Sequence, residues 1–339
     1  MKKIQMPAIV YILLSAALCL GGCSFVKYPV EYSRVEALMG TFVQVKVSSS
    51  SGGFTKSSLK KIVEGAFDEA RTLEEKLSFF MPGSEVSALN TRLTRKVSSD
   101  LYGLIRESNE ISALTGGNFD ITIVPVLKRN GFYTDMPAVL FDKIPDSLEG
   151  VGWENVRLDG QEIILGNNAW IDLSAIAKGY IADRIGRYLS DMGLKDVMIN
   201  AGGDIYCGER EGRAGWKIGL RRPGSEDILL TLDLKNIAVA TSGDYENISV
   251  DTNTGRAVSH IIDPLGMSAK EEVLSSVTVI APSCSLADAL STAMMAMGGE
   301  KAVALADSID GVDIIAVDCR EGTPRILYSK NAFEYIRGR

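Results

Sequence analysis

Residues 171–204 read IDLSAIAKGYIADRIGRYLSDMGLKDVMINAGGD, and the architecture of the chain can be inferred from them first. Apolar residues at helical spacing predict a helix over Ala177–Met192 that ends at Gly193. A short apolar run then predicts a strand over Val197–Asn200, which leads into Ala-Gly-Gly-Asp at 201–204. A helix followed directly by a strand and a glycine turn is typical of folds in which helices pack on a sheet.

The segments on either side add helices and strands in mixed order. Helical spacing predicts helices over Leu59–Leu77, Leu101–Leu114 and Ser285–Met297, and Asp159-Gly160 predicts a hairpin. Alternation or short apolar runs predict strands at Phe42–Val47, Lys217–Leu220, Ile228–Leu234, Ile237–Thr241, Val277–Ala281 and Ile314–Val317. Because strand follows strand through the middle, we expect an α+β fold with mixed or antiparallel sheets and packed helices. It would form a single large domain, with a division into two lobes left open.

The first 22 residues have the pattern of a lipoprotein signal peptide. Lys2 and Lys3 precede the largely apolar run Ala8–Leu20, which is short for a membrane span. The run ends in Leu-Gly-Gly-Cys at 20–23, which resembles the bacterial lipobox, in which the cysteine becomes a lipidated N-terminus; an ordinary secretory peptide that contains Cys23 is the alternative. We therefore expect a signal peptide over 1–22, a lipid anchor and tether over 23–35, and a folded domain over 36–339.

This interpretation predicts a protein held on a bacterial membrane by lipid. No later segment is apolar enough to span a bilayer, so the domain would be anchored and exported to the periplasmic or extracytoplasmic face. The inner membrane is favoured, although Ser24 after Cys23 does not decide between the inner and the outer membrane.

Composition limits the partners and the kind of metal site. A net charge of -7 without a Lys/Arg block argues against nucleic acid as a partner. After Cys19 and Cys23, only Cys207, Cys284 and Cys319 remain, which make neither a disulfide framework nor a zinc site, although one pair could form. With 1 histidine in the chain, any metal must be held mainly by oxygen, which favours Mg²⁺ or Ca²⁺.

Four stretches carry residues that a core alone does not require. Gly-Gly-Asn-Phe-Asp at 116–120 is either a ligand contact or a plain helix cap and turn. Asp172–Tyr180 opens a helix with Lys178, which suits a phosphate, although such lysines are commonly solvated. Asn-Ala-Gly-Gly-Asp at 200–204 is a tight turn or a backbone nest near a ligand. Asp288 and Thr292 are four residues apart on one helix face and could bind Mg²⁺, or Asp288 could simply favour the helix dipole.

Together and in order, these stretches resemble the ApbE family of FAD:protein FMN transferases. The motifs are Met-Gly-Thr (39–41), Phe-Asp-Ile-Thr (119–122), Asp-Leu-Ser-Ala-Ile-Ala-Lys-Gly (172–179), Asn-Ala-Gly-Gly-Asp (200–204), Thr-Ser-Gly-Asp (241–244), Ser-His-Ile-Ile-Asp-Pro (259–264) and Ala-Asp-Ala-Leu-Ser-Thr-Ala (287–293). The resemblance covers most of the mature chain. It implies a T-fold-like domain in an exported lipoprotein that binds FAD and Mg²⁺. It also implies transfer of FMN to a threonine or serine of an acceptor protein, with release of AMP.

The resemblance implies site residues by position. FAD would be lined by Met39, Phe80, Asn118, Phe119, Asp120, Asp172, Lys178 and Ile262. The metal would be held by the carbonyl of Ala175, by Asp288 and by Thr292, with Ser291 close by. The chain departs from the family pattern at Leu-Ser-Phe-Phe (77–80), where many transferases have tyrosine after the Leu-Ser pair. Phe80 keeps the aromatic face without the hydroxyl, and because hydrolysing members carry asparagine there, it favours transfer over hydrolysis.

His260, the only histidine, lies in Ser-His-Ile-Ile-Asp-Pro. A lone histidine beside an apolar pair is commonly a satisfied, partly buried polar residue. The family motif and the need of an acceptor hydroxyl for a base favour a general base instead, or a group that orients the hydroxyl, with Asp244 or Asp263 as substitutes.

Three functions stay open at this point. The leading one is the transferase, whose acceptor would belong to an exported or membrane redox system. The others are an FAD pyrophosphatase that uses water at the same site and a lipoprotein that binds flavin without turnover.

Overall fold

The computed structural model describes residues 29–50, 53–91, 94–244, 248–250, 257–259, 261–269, 274–319 and 323–337; the predicted signal peptide, Cys23 and His260 lie outside them. The helices are α1 (Lys56–Leu77), α2 (Glu85–Asn90), α3 (Ser99–Leu114), α4 (Val124–Arg129), α5 (Ala138–Phe141), α6 (Ser174–Asp191), α7 (Cys284–Met297) and α8 (Gly299–Ala306). Short 3₁₀ turns lie at Trp153–Asn155 and Ala332–Tyr335. In this part of the chain, no helix is both long and apolar enough to cross a membrane.

The strands form one large sheet and several small ones. They are β1 (Val30–Leu38), β2 (Thr41–Ser49), β3 (Thr94–Lys96), β4 (Val156–Asp159), β5 (Glu162–Leu165), β6 (Asp196–Ala201), β7 (Asp204–Cys207), β8 (Trp216–Arg221), β9 (Ile228–Leu234), β10 (Ile237–Gly243), β11 (Ile248–Val250), β12 (Ala257–Ser259), β13 (Ile262–Asp263), β14 (Ser268–Ala269), β15 (Ser276–Ala281), β16 (Asp313–Asp318) and β17 (Arg325–Tyr328). The large sheet has the order β1-β2-β6-β7-β10-β15-β16-β17, and its neighbouring strands pair antiparallel. The α+β class predicted from the sequence, with antiparallel sheets and packed helices in a single domain, is confirmed.

The sheet begins earlier in the chain than the sequence analysis predicted. Residues 30–35, assigned there to the tether, lie in β1, which pairs along its length with β2. β1 is an edge strand whose residues alternate between partly buried and exposed, and Val35 is 51% exposed. Its apolar signal is weak because only one of its faces packs, so the sequence alone does not predict a strand here.

The large sheet is covered on both faces and separates two apolar cores. Helices α1, α6 and α7 lie on the main core, while the β8–β9 hairpin covers a smaller one. In β15, Val277 and Val279 belong to the main core and Ile280 to the smaller one, as the two-residue period of a strand requires. Cys207 lies in the smaller core and Cys284 in the main core, and both are free thiols, as is Cys319.

Helix α7 is nearly surrounded by protein and determines where the site lies. Of its 14 residues, 11 are buried, against α6, β10 and β15. The hydroxyl of Ser283 caps its N-terminus by accepting the N–H of Leu286 at 3.3 Å. Because alanines at 287, 289 and 293 present little bulk, neighbouring segments approach α7 closely.

Candidate active site

The crossing of α6 and α7 depends on Gly179. A Cβ atom at this position would lie 2.3 Å from the carbonyl oxygen of Cys284 and 2.7 Å from the amide nitrogen of Ser285. Both of these atoms belong to the backbone of α7, so any side chain here would push the two helices apart. The close approach places the residue before Gly179, Lys178, against Asp288.

Lys178 lies between two carboxylates. Its Nζ is 3.2 Å from both carboxylate oxygens of Asp288 and 3.0 Å from Oδ2 of Asp204. Asp204 and Asp288 are only 4% and 3% exposed. Burial acts against the charged ammonium, but the two carboxylates outweigh burial and raise the pKa of Lys178. Lys178 therefore provides a permanent positive charge at the crossing.

Three hydroxyl groups, two from α7 and one from β10, cluster beside the turn of α7 that follows Asp288. Oγ of Ser242, in β10, is 2.7 Å from Oγ of Ser291 and 3.5 Å from Oγ1 of Thr292. The hydroxyls of Ser291 and Thr292 also donate to the carbonyl of Asp288, at 2.9 and 3.4 Å. The face shared by Asp288 and Thr292, expected from their spacing, therefore carries a cluster of oxygen atoms.

This donor set fits a hard divalent cation. Carboxylate and hydroxyl oxygens are the ligands that Mg²⁺ prefers. The N–H of Gly179 donates to Oδ2 of Asp288 at 3.1 Å. In a regular helix this N–H donates to the carbonyl of Ala175. The carboxylate of Asp288 and the Ala175 carbonyl therefore compete for the same N–H group. Within the described ranges, no group of three His, Cys, Asp or Glu side chains could hold a metal. A metal here would need the hydroxyl, the carbonyl and substrate oxygens as well.

The first turn of α6 is largely capped by its own neighbours. Oδ1 of Asp172 accepts the N–H and the hydroxyl of Ser174, at 2.9 and 2.6 Å. The N–H groups of Ile176 and Ala177 donate to the carbonyl of Leu173, at 3.0 and 2.8 Å. The N–H groups of Ser174 and Ile176 are therefore already paired, and the positive charge at this end comes mainly from Lys178.

Asp183 joins α6 to the start of α7. Its two oxygens accept the N–H groups of Cys284 and Ser285, at 2.8 and 2.9 Å. The hydroxyl of Ser285 donates to Glu107 of α3 at 2.6 Å. Burial raises the pKa of Asp183 to about 6 despite these hydrogen bonds. A carboxylate from each helix thus accepts N–H groups of the other, since Asp288 of α7 accepts from Gly179 of α6.

An aromatic group lies beside the start of α6. The ring centroid of Phe79 is 5.7 Å from that of Phe80, 4.9 Å from that of Tyr133 and 6.4 Å from that of Trp170. Phe79 is 3% exposed, whereas Phe80 is 42% exposed. An exposed ring on a buried aromatic base is a surface on which a planar ligand can stack. The hydroxyl of Tyr133 donates to Oδ2 of Asp172 at 2.8 Å and connects this group to α6.

A family comparison agrees with this arrangement. The sequence model of the ApbE family matches residues 39–316, most of the chain. The chain belongs to the ApbE family. The matched range contains the crossing, the hydroxyl cluster and the aromatic group.

Curated and solved relatives from the ApbE family span nearly the whole chain. A FAD:protein FMN transferase of Vibrio cholerae is 28% identical over 309 residues, 87% of this chain and 89% of the relative. The crystal structure of the ApbE protein of Thermotoga maritima has a TM-score of 0.78 and 31% identity, covering 91% of this chain and 100% of that one. The flavinyl transferase ApbE of Pseudomonas stutzeri has a TM-score of 0.77 and 27% identity, covering 92% and 98%.

Two groups of the positions predicted from the ApbE resemblance are brought together. Lys178, Asp288, Ser291 and Thr292 meet at the crossing, with Ala175 one turn before Gly179 on α6. Phe80 and Asp172 meet through Tyr133.

The loop at 118–120 is tied to the start of α6, because the N–H of Asp172 donates to the carbonyl of Ile121 at 2.8 Å. Oδ1 of Asp120 accepts the N–H and the hydroxyl of Thr122, at 2.7 and 2.6 Å, and burial raises the pKa of Asp120. Phe119 is only 2% exposed, so its side chain belongs to the core. The amide of Asn118 donates within the loop, to the carbonyl of Thr115 at 2.8 Å.

Met39 and Ile262 lie further out. Met39 is at the tip of the β1–β2 hairpin, with φ +53°, and its N–H donates to Glu74 at the end of α1, at 2.6 Å. Ile262 is 4% exposed in β13, which contacts α7. Asp263, the predicted substitute for His260, accepts the N–H groups of Leu265 and Gly266 within a turn, at 3.0 and 3.1 Å.

Sequence reasoning assigned no site role to four residues that the structure places here. Asp204 and Ser242 lie in family motifs, so the pattern marked their positions without indicating their contacts. Asp183 lies on the predicted helix 177–192 without a motif of its own, and Tyr133 lies in a stretch to which no element or motif was assigned.

Proposed function

We propose that this chain is a Mg²⁺-dependent FAD:protein FMN transferase, which moves FMN from FAD to a threonine or serine hydroxyl of an acceptor protein and releases AMP. The observation that carries the proposal is the α6–α7 crossing, where a permanent cation, two buried carboxylates and a hydroxyl cluster meet. Relatives of matching length from Vibrio cholerae and Haemophilus influenzae bear the name FAD:protein FMN transferase.

The reaction exchanges one phosphorus–oxygen bond for another. The acceptor hydroxyl oxygen bonds to the FMN phosphorus, the bond from that phosphorus to the bridging oxygen breaks, and AMP leaves with that oxygen. The hydroxyl proton must pass to a base. His260 stays the predicted base, and Asp263 is a weaker candidate because its Oδ1 already accepts two backbone N–H groups.

The residues at the crossing would stabilise the negative charge that develops on the leaving AMP. Lys178 would offer positive charge to the pyrophosphate oxygens, where preorganised charge is most effective. Mg²⁺, held by Asp288, Thr292 and the Ala175 carbonyl, would neutralise phosphate charge when bound. At the other end, the exposed ring of Phe80 would stack on the isoalloxazine.

The decisive experiment combines purified protein, FAD, Mg²⁺ and an exported redox-complex subunit prepared without covalent flavin. The proposal predicts one AMP released for each acceptor flavinylated. AMP with free FMN would instead support the pyrophosphatase, and neither product would support a flavin-binding lipoprotein. Asp191→Asn, an exposed change on α6, should behave as the parent.

We also propose that Cys23 is lipidated and that the domain faces the exported side of a bacterial membrane. The sequence of residues 1–23 supports this. Cys23→Ser should leave an unprocessed precursor or release soluble protein on cell fractionation. A variant that matures and fractionates with membranes like the parent would show that lipidation at Cys23 is not the anchor.

A further inference from the structure

Tyr133 has a backbone conformation that is unusual for its residue type. Its φ is +69°, in the left-handed region that favours glycine. The other described non-glycine residues with positive φ are asparagines and methionines. A bulky residue in this region is strained and persists only where surrounding contacts hold it there.

The side chain of Tyr133 contacts Phe79, Phe80 and Asp172, at the end of the site where the flavin is proposed to bind, and its carbonyl accepts the N–H of Met136 at 3.0 Å. The residue is 8% exposed, and its ring centroid lies 4.9 Å from that of Phe79 and 6.0 Å from that of Phe80. Its hydroxyl donates to Oδ2 of Asp172 at 2.8 Å. Burial raises the pKa of Tyr133 well above its ordinary value, so the phenol stays protonated and remains a donor.

Both oxygens of the Asp172 carboxylate therefore accept hydrogen bonds. Oδ1 accepts two hydrogen bonds from Ser174, and Oδ2 accepts one from Tyr133. The Ser174 contacts are local, two residues along the chain, and both are made to Oδ1. Among the described residues, the Tyr133 hydroxyl is the hydrogen-bond donor to this carboxylate that comes from a distant segment, and it binds the remaining oxygen.

Filling the core does not account for this arrangement. A phenylalanine would occupy the same volume without a hydroxyl, and a residue with negative φ would avoid the strain. The strained backbone brings both parts of one side chain to two predicted FAD-lining residues, the ring to Phe80 and the hydroxyl to Asp172.

We propose that Tyr133 is a positioning residue for FAD, which fixes the carboxylate of Asp172 through its hydroxyl and supports Phe80 through its ring. The inference rests on the proposed function, because it assigns FAD to this end of the site. Tyr133 does not reach the reacting phosphorus in this role. Its loss should therefore weaken FAD binding while the rate at saturating FAD stays close to that of the parent.

Tyr133→Phe removes the hydroxyl and keeps the ring. We expect the dissociation constant for FAD, from quenching of flavin fluorescence without Mg²⁺, to rise about tenfold, the effect of losing one hydrogen bond to a charged group. The KM for FAD should rise by a similar factor, with kcat within about twofold of the parent. Tyr206→Phe, a partly buried tyrosine on β7, is the matched control and should change neither constant.

A double-mutant cycle separates positioning from general loosening of the fold. If Tyr133 acts through Asp172, Tyr133→Phe should weaken FAD binding much less in an Asp172→Asn background than in the parent. Full additivity, unchanged FAD affinity in Tyr133→Phe, or a fall in kcat at unchanged KM would each overturn the proposal.

Two further measurements test the role of Tyr133 even if Tyr133→Phe does not fold or the parent shows no turnover. If Tyr133→Phe does not fold, Asp172→Asn weakens the same bond from its other end, and unchanged FAD affinity in that variant overturns the proposal. If the parent releases no AMP with any acceptor, the proposed function fails. The fluorescence titration then still decides whether Tyr133 positions bound FAD.

Discussion

At the α6–α7 crossing, a Cβ on Gly179 would lie 2.3 Å from the carbonyl oxygen of Cys284, and Nζ of Lys178 lies within 3.2 Å of two buried carboxylates. At the aromatic end, ring centroids are 4.9 to 6.4 Å apart, and Phe80 is 42% exposed. The crossing is held by charge and by backbone contact, neither of which can adjust to a new side chain. The aromatic end is held by ring surfaces, one of which faces solvent and has room to move.

The energies of the two regions should differ accordingly. Removing one partner of a buried ion pair costs about 3–5 kcal/mol, because the other charge is left without compensation. An aromatic pair contributes only about 0.5–1.5 kcal/mol beyond the area it buries. Substitutions at the crossing should therefore have much larger effects than those at the rings.

The largest effect should come from Asp288→Asn. The change keeps the shape of the side chain but removes the charge that faces Lys178 and the proposed metal. We expect the rate of FMN transfer to fall on the order of 10³-fold, since a metal contributes several kcal/mol to charge stabilisation. The assay is AMP release at saturating FAD, and near-parental turnover at sub-millimolar Mg²⁺ would contradict the assignment.

Gly179→Ala tests the backbone contact itself. The added methyl group meets the carbonyl of Cys284, so the helices must move apart, and we expect the free energy of unfolding to fall by about 3 kcal/mol, with a loss of transfer activity. Gly103→Ala on α3 is the matched control, because a Cβ there meets nothing within 4 Å. Urea unfolding should show the control unchanged or slightly more stable. Equal behaviour of the two variants would mean that the crossing tolerates more than its geometry indicates.

Asp183 should make the stability of the crossing depend on pH. Its folded pKa is about 6 against an ordinary value of 3.8, so the folded protein binds this proton more tightly than the unfolded chain does. This contribution is present below pH 3.8 and is lost as the pH rises to about 6. The stability of the parent relative to Asp183→Asn should therefore fall by about 2–3 kcal/mol across that window.

Chemical unfolding of both proteins in steps between pH 4 and pH 7.5 would measure this difference. Burial also raises the pKa of the neighbouring Glu107, so the comparison is repeated in a Glu107→Gln background. A stability difference that stays constant over the window would show that Asp183 is ionised in the folded protein throughout.

Phe80→Leu should have the smallest effect. It removes two ring contacts and a stacking surface but leaves Phe79 and Tyr133 in place, so we expect the KM for FAD to rise about threefold to tenfold at nearly constant kcat. Phe333→Leu is the matched control: Phe333 is 40% exposed, and its ring lies 4.5 Å from that of Tyr328, which packs against the smaller core. A fall in kcat as large as that of Asp288→Asn would remove the distinction between the two regions.

The features that depend on local spacing could be predicted from the amino-acid sequence. The helices α1, α6 and α7 were predicted because apolar residues repeat with the period of a helix, and the doubly buried strand β15 was predicted from a short, mostly apolar run. The shared face of Asp288 and Thr292 follows from the pitch of a helix, and the oxygen character of any metal site follows from a single histidine and few cysteines. The ordered motifs identified the family before any contact was known.

Which of these faces meet became clear from the packing of the folded chain. Lys178 and Asp288 are 110 positions apart, and Tyr133 and Asp172 are 39 apart, so no local period relates them. The sequence also placed residues 30–35 in the tether, because an edge strand has a weak pattern, and it did not indicate the two carboxylates that face Lys178, because a charge does not specify its partner. The physical reason is that periodicity reports which side of an element is apolar. The pairing of buried charges depends on how all the elements pack at once.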